Sequence, residues 1–186
     1  MTKLVYYYSG MNAGKSAHLL QKSHNLASKG VAVKRYTHIL DTRWGKGLIV
    51  SRIGIEARAE LFDASTDFRS LTFKSNTWVF IDEAQFLTRE QVMSLAHIAD
   101  HNKVCIICYG LRTDFKGEPF EGSTYLMAWA DEIREIESHD AFGDKAGFNI
   151  RVDEGGNRVL EGNQMDIGTH YKSISRKDFF MPYSGG

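Results

Sequence analysis

A chain of 186 residues, 42% hydrophobic and 25% charged, is long enough for one α/β domain with a proper core and a small appendage. Lys and Arg balance Asp and Glu at 23 each, which argues against a dedicated nucleic-acid coat or a polybasic membrane patch and leaves room only for a local basic groove. No segment resembles a signal peptide, and no apolar run approaches the ~20 residues that a membrane span needs, so a cytoplasmic protein is expected.

Lys3 to Tyr8 is a β-branched and aromatic strand. A helix follows from Ser16 to Lys29, with Leu19, Leu20 and Leu26 on its apolar stripe and Gly30 as the stop. Val31 to Tyr36 reads as a strand, Thr37 to Gly47 as a polar loop, and Leu48 to Ser51 and Ala59 to Phe62 as short strands. Asp67 to Lys74 carries a weak helical pattern. Thr77 to Ile81 is an apolar strand ending in acids, after which Thr88 and Gln91 form a capping box for a helix bearing Val92, Leu95, Ile98 and Ala99. Lys103 to Tyr109 is another buried strand, Ser123 to Ala130 a short helix, and Ile133 to Ile136 a last core strand. Continuous apolar strands alternating with helices predict a parallel sheet covered on both faces.

The pattern changes after Ser138. Phe148 to Val152 alternates, residues 153–157 are turn-forming and Arg158 to Leu160 resumes, which is a hairpin signature. The last stretch is polar and reads as irregular, ending in a loose Ser184-Gly185-Gly186. A core of residues 1–138 and a small subdomain of residues 139–186 is the expected division. The cysteines, Cys105 and Cys108, sit three apart in one strand. They would point to opposite faces, and no further cysteine completes a metal site, so both read as core residues of a protein without disulfides.

The chemistry begins between the first strand and the first helix. Ser9-Gly10-Met11-Asn12-Ala13-Gly14-Lys15-Ser16 fits the phosphate-loop pattern except that Ser9 replaces the first glycine. Small residues let the backbone wrap an anion at a helix N-terminus. Lys15 would reach the β- and γ-phosphates of ATP, and the Ser16 hydroxyl would ligate Mg²⁺. The matching acid should end a different strand, and Asp82 does so. Glu83 beside it is placed either to accept a proton from an attacking hydroxyl or to be a solvated loop acid.

Asp82-Glu83-Ala84-Gln85-Phe86, the phosphate loop and Tyr109-Gly110-Leu111-Arg112-Thr113-Asp114-Phe115 together resemble the thymidine kinases of the tetrameric, zinc-containing class. The likeness extends to Asp41-Thr42-Arg43, Ser51-Arg52-Ile53-Gly54, Ile167-Gly168 and Tyr171. The resemblance implies a RecA-like core, a lasso or lid loop closing over thymidine, ATP and Mg²⁺ as cofactors, a homotetramer, and feedback inhibition by dTTP. It implies Glu83 as the base for the 5′-hydroxyl, Asp82 as the metal acid and Arg43 as a cation at the transferring phosphate. Met11, Phe86, Leu111, Phe115, Phe120 and Tyr171 match positions lining the thymine pocket. Taken alone, Arg43 has a second reading as a solvated loop cation, and the three phenylalanines as ordinary core.

Where relatives of this class place zinc-binding cysteines, this chain has residues 138–143, and Ser175 and Asp178. A structural zinc is therefore expected to be lost, with Phe142, Phe148, Phe179, Phe180 and Met181 forming an apolar cluster in its place. The competing readings are a deoxynucleoside kinase of broader base preference, a RecA-like ATPase acting on nucleic acid, and an inactive nucleotide-binding regulator. Balanced charge disfavours the second, and the joint presence of Lys15, Ser16, Asp82, Glu83 and Arg43 disfavours the third.

Overall fold

A computed structural model describes residues 2–165 and 170–182. Ile167, Gly168 and Ser184 to Gly186, singled out above, lie outside the described residues. The strands are Lys3–Ser9 (β1), Val33–His38 (β2), Leu48–Val50 (β3), Glu56–Arg58 (β4), Glu60–Phe62 (β5), Trp78–Ile81 (β6), Cys105–Leu111 (β7), Glu132–Glu135 (β8), Phe148–Val152 (β9), Arg158–Val159 (β10) and Tyr171–Ile174 (β11). The helices are Lys15–Ala27 (α1), Arg89–Asn102 (α2), Glu121–Trp129 (α3) and Arg176–Phe179 (α4), with 3₁₀ turns at Phe68–Ser70 and Ala84–Phe86.

Six strands form one sheet in the order β5-β2-β6-β7-β1-β8, every neighbour parallel. Parallel strands need crossovers, and the helices that supply them cover both faces. On one face α1 buries Leu19 and Leu20 against Val5, Tyr7, Phe80, Ile107 and Tyr109. On the other, α2 and α3 bury Val92, Leu95 and Leu126 against Leu4, Tyr6, Val79, Ile81 and Ile106. Alternation along β7 puts Cys105 in the first layer and Cys108 in the second, as the strand period requires.

The capping box of α2 forms as the sequence predicts: Thr88 Oγ1 accepts Gln91 N–H at 3.2 Å, and Gln91 Oε1 accepts Thr88 N–H at 3.0 Å. The weak helix at residues 67–74 is only the single 3₁₀ turn, capped by Asp67. The irregular C-terminal stretch contains β11 and α4, which the sequence reading missed. Ser175 starts α4 by accepting Asp178 N–H at 3.2 Å, and this Ser-x-x-Asp spacing was the available signal.

A separate three-stranded sheet runs β10-β9-β11, antiparallel throughout. Its period-2 alternation gives it two unlike faces. Phe148, Ile150, Val152, Ile174 and Phe179 make a small apolar core on one. Phe148 and Phe179 pack as a tilted pair with ring centroids 5.1 Å apart, and the Arg158 guanidinium lies 4.3 Å over Phe179. The expected five-residue aromatic cluster is corrected here. Phe142 is 91% exposed, Phe180 78% and Met181 58%, so only Phe148 and Phe179 of that set are packed inside.

Hydrogen-bonded turns occupy the segments where cysteines were missed. Asp140 Oδ1 accepts the N–H groups of Phe142 and Asp144, both at 2.9 Å, and Ser138 Oγ donates to Ala146 O at 3.0 Å. Such bonds satisfy the backbone locally and close the turn.

Helix α3 reaches the sheet edge through Gly122. A Cβ there would lie 2.5 Å from Ala84 O and 2.7 Å from Leu87 O, both backbone atoms of the turn that follows β6. Gly122→Ala should therefore lower stability by about 1–3 kcal/mol, read as a lower midpoint in thermal or urea unfolding.

Candidate active site

The C-terminal ends of β1, β2, β6 and β7 all open at one edge of the sheet, where ligands of open α/β sheets bind. From β1 comes the phosphate loop. Gly14 takes φ +85°, a left-handed turn that admits glycine without cost, and it starts α1 with no side-chain cap and no acid in the first turn. The first N–H groups of α1 are therefore left for an anion. Lys15 Nζ donates to Ser9 Oγ and to Gly10 O, both at 2.9 Å. Ser9 thus adds a hydroxyl partner for the lysine where the usual pattern has none. Burial pulls the Lys15 pKa down, against the attraction of Glu83 and Asp82.

From β6 come the acids. Asp82 is buried, and desolvation together with the neighbouring Glu83 charge pushes its pKa up to about 7, with Lys15 opposing. Its Oδ2 lies 3.4 Å from Ser16 Oγ. Glu83 adopts φ +54°, an uncommon left-handed conformation for a side-chain-bearing residue, and it lines a cleft. There Glu83 Oε1 accepts from Arg43 Nη2 at 2.9 Å and Oε2 accepts from Gln85 Nε2 at 2.5 Å. From the loop after β2, Arg43 also makes a two-pronged pair with buried Asp41, Nε to Oδ1 at 2.7 Å and Nη2 to Oδ2 at 3.0 Å. That pairing holds the guanidinium firmly protonated.

The cleft is narrow, with a free volume of about 30 Å³. Met11, Arg43, Glu83, Phe86, Leu111, Phe115, Phe120 and Tyr171 all line it, while Lys15, Ser16 and Asp82 are not part of its lining. Phe86 meets Phe120 edge-to-face at 5.6 Å, and Phe115 meets Tyr171 likewise at 6.3 Å. Gln85, Thr113, Asp114, Asn149 and Gln164 also line it and had no role assigned. Gln85 anchors Glu83 and accepts Leu111 N–H at 3.2 Å through Oε1. Gln164 donates to Asp114 Oδ2 at 3.1 Å, bridging the C-terminal segment to the loop after β7. The Thr113 hydroxyl finds no hydrogen-bond partner among the described residues. Among those residues no three His, Cys, Asp or Glu side chains come together as a metal cluster.

A parallel α/β sheet carrying a phosphate loop, with a carboxylate and an arginine facing an aromatic cleft beside it, defines a phosphate-loop kinase. The family model for thymidine kinase matches residues 2–179. A protein named thymidine kinase from Xanthomonas axonopodis pv. citri (strain 306) is 44% identical over 187 residues, covering 96% of this chain and 90% of that protein. One so named from Vibrio vulnificus (strain YJ016) is 43% identical, with 96% and 97% covered. One from Legionella pneumophila (strain Paris) is 48% identical over 174 residues, with 90% and 83% covered. The chain belongs to the thymidine kinase family.

The raised Asp82 pKa has a consequence for stability. A carboxyl that binds its proton more tightly folded than unfolded opposes folding once the pH exceeds its unfolded value near 4, and the penalty is complete above about 7. In ligand-free, metal-free protein, Asp82→Asn should raise the unfolding midpoint at pH 8, and the difference from wild type should shrink steadily toward pH 4.

Proposed function

We propose that the protein transfers the γ-phosphoryl group of ATP to the 5′-hydroxyl of thymidine, giving dTMP and ADP. The observation that carries this reading is the convergence of Glu83, Arg43 and the phosphate loop on one aromatic-walled cleft. Thymine would lie among Phe86, Phe115, Phe120, Tyr171, Met11 and Leu111, where stacking and a snug apolar wall favour a methylated pyrimidine. Residues Ser9 to Ser16 would cradle the ATP phosphates, with Lys15 exchanging its loop acceptors for phosphate oxygens.

The donor set of the Ser16 hydroxyl and the Asp82 carboxylate suits a hard cation, and a buried acid whose ionisation is opposed by its surroundings is stabilised by one. Ser16 and Asp82 would hold Mg²⁺, whose charge offsets that on the phosphate oxygens. Glu83 would accept the 5′-hydroxyl proton as the oxygen–phosphorus bond forms and the bridge to ADP breaks. Gln85 and Arg43 orient its two oxygens. Arg43, fixed on Asp41, would offset charge on the equatorial oxygens of the group in transfer. Replacing Glu83 by Gln keeps size and polarity but removes proton acceptance. It should lower kcat for thymidine by about 10²–10⁴-fold while leaving ATP affinity near wild type. Steady-state kinetics with a parallel ATP titration check this, and a near-normal kcat removes Glu83 from the mechanism.

The reading includes a kinase core of residues 1–138 and a lid of residues 139–186, supported by their separate sheets. A homotetramer and dTTP inhibition enter by family resemblance, and a cytoplasmic setting by the sequence features given above. No helix among the described residues is long and apolar enough to cross a membrane. We read the lid as having dispensed with zinc, since Ser138, Asp140 and Ser175 are engaged in turns and a helix cap. Elemental analysis of purified, chelator-free protein should find zinc well below one per chain, and a stoichiometric value would overturn that part.

A further inference from the structure

Met11 is held from outside its own loop. Asn149 in β9 and Ser173 in β11 stand directly opposite each other in the antiparallel pair, so both side chains project from one face of the C-terminal sheet. Asn149 Oδ1 accepts the Met11 N–H at 2.7 Å, and the Ser173 hydroxyl donates to the Met11 carbonyl. Asn149 is almost fully buried, and its Nδ2 reaches toward Thr113 O at 3.5 Å. Gly10, the preceding residue, is not in the left-handed region, yet a Cβ on it would lie 2.7 Å from Ala146 O. The close approach of the C-terminal segment excludes a side chain there, not a need for backbone freedom.

The same face carries Arg151 and Tyr171, opposed in register and both against the Phe115 ring. One pair of strands therefore grips the phosphate loop through one cross-strand pair and walls the aromatic cleft through the next. A backbone group tied at both its N–H and its C=O cannot shift without leaving buried polar atoms unpaired. Whatever orders these two strands also orders residues 10 and 11, and with them the run of N–H groups leading into α1.

We propose that Asn149 and Ser173 are positioning residues that couple the aromatic cleft to the phosphate loop, so that a nucleoside in the cleft tightens nucleotide binding at the loop and the reverse. Coupling of this kind is reciprocal by linkage. The inference rests on thymidine and an adenine nucleotide as the two occupants. Ser173 gives the cleaner test, because Asn149 itself lines the cleft and Ser173 does not.

The measurement is calorimetric titration of ADP with Mg²⁺, which avoids turnover, into wild type, Ser173→Ala and Ser173→Thr, each with and without saturating thymidine. Wild type should bind ADP several-fold tighter when thymidine is present, within the ~5–150-fold of typical coupling. Ser173→Ala should bind ADP about 10-fold more weakly on its own and lose the thymidine effect, as expected for a lost buried hydrogen bond. Ser173→Thr, which keeps the hydroxyl, should restore both. Wild-type ADP affinity indifferent to thymidine overturns the proposal, as does Ser173→Ala behaving like wild type or Ser173→Thr behaving like Ser173→Ala. If thymidine fails to bind wild type, the proposed function falls, and the thymidine-free arms still decide whether Ser173 holds the loop.

Discussion

Two carboxylates on consecutive residues at the buried end of one strand are the constraint around which this molecule is arranged. Asp82 and Glu83 would repel each other strongly if they shared a direction, and desolvation alone already opposes the ionisation of Asp82. Glu83 sits at φ +54° and lines the cleft, whereas Asp82 lies beside Ser16. Two cations offset the pair: Lys15 favours the charged form of Asp82, and Arg43 bonds Glu83 directly. Those cations come from the start of α1 after β1 and from the loop after β2, so the site exists only when β1, β2 and β6 lie in parallel register, joined through β7.

The burial that makes this arrangement expensive for folding is what makes it effective for chemistry. Charges held in a low-dielectric pocket by fixed partners need no reorganisation when new charge develops beside them. Asp41 illustrates the cost of that rigidity. It is nearly inaccessible and spends both oxygens on one guanidinium, a pairing in which the cost of desolvating two charges offsets much of their attraction.

What could be read in the sequence was what is local or strongly periodic. Lys15 and Ser16 declare themselves because a strand, a small-residue loop and a helix start are contiguous, and the Thr88 box because a cap and its partner are three residues apart. Arg43 and Glu83 could be paired only through family likeness, since 40 residues separate them and either one alone suits an exposed loop. Least legible were the polar side chains that act at long range. Asn149 and Gln164 sit in segments whose alternation marks a hairpin or a loop, and nothing local says which backbone atom they will meet. Phe142 failed in the opposite sense: a lone aromatic invites burial, but the turn that Asp140 closes leaves its side chain pointing outward. β11 was lost because one of its faces carries Tyr171 and Ser173 and the other includes Lys172, so the apolar count stayed low.

The opposite placement of Cys105 and Cys108 bears on how the protein meets oxidants. Each thiol is sealed under its own layer of helices, and burial pushes both pKa values up, which suppresses the reactive thiolate. Because the strand sends them to opposite sides of the sheet, they cannot bridge each other while β7 keeps its pairing. An alkylating reagent reaches Cys105 only when α1 lifts and Cys108 only when α2 and α3 do. The chain thus carries two natural clocks, one per layer, for how often each side of its central sheet opens.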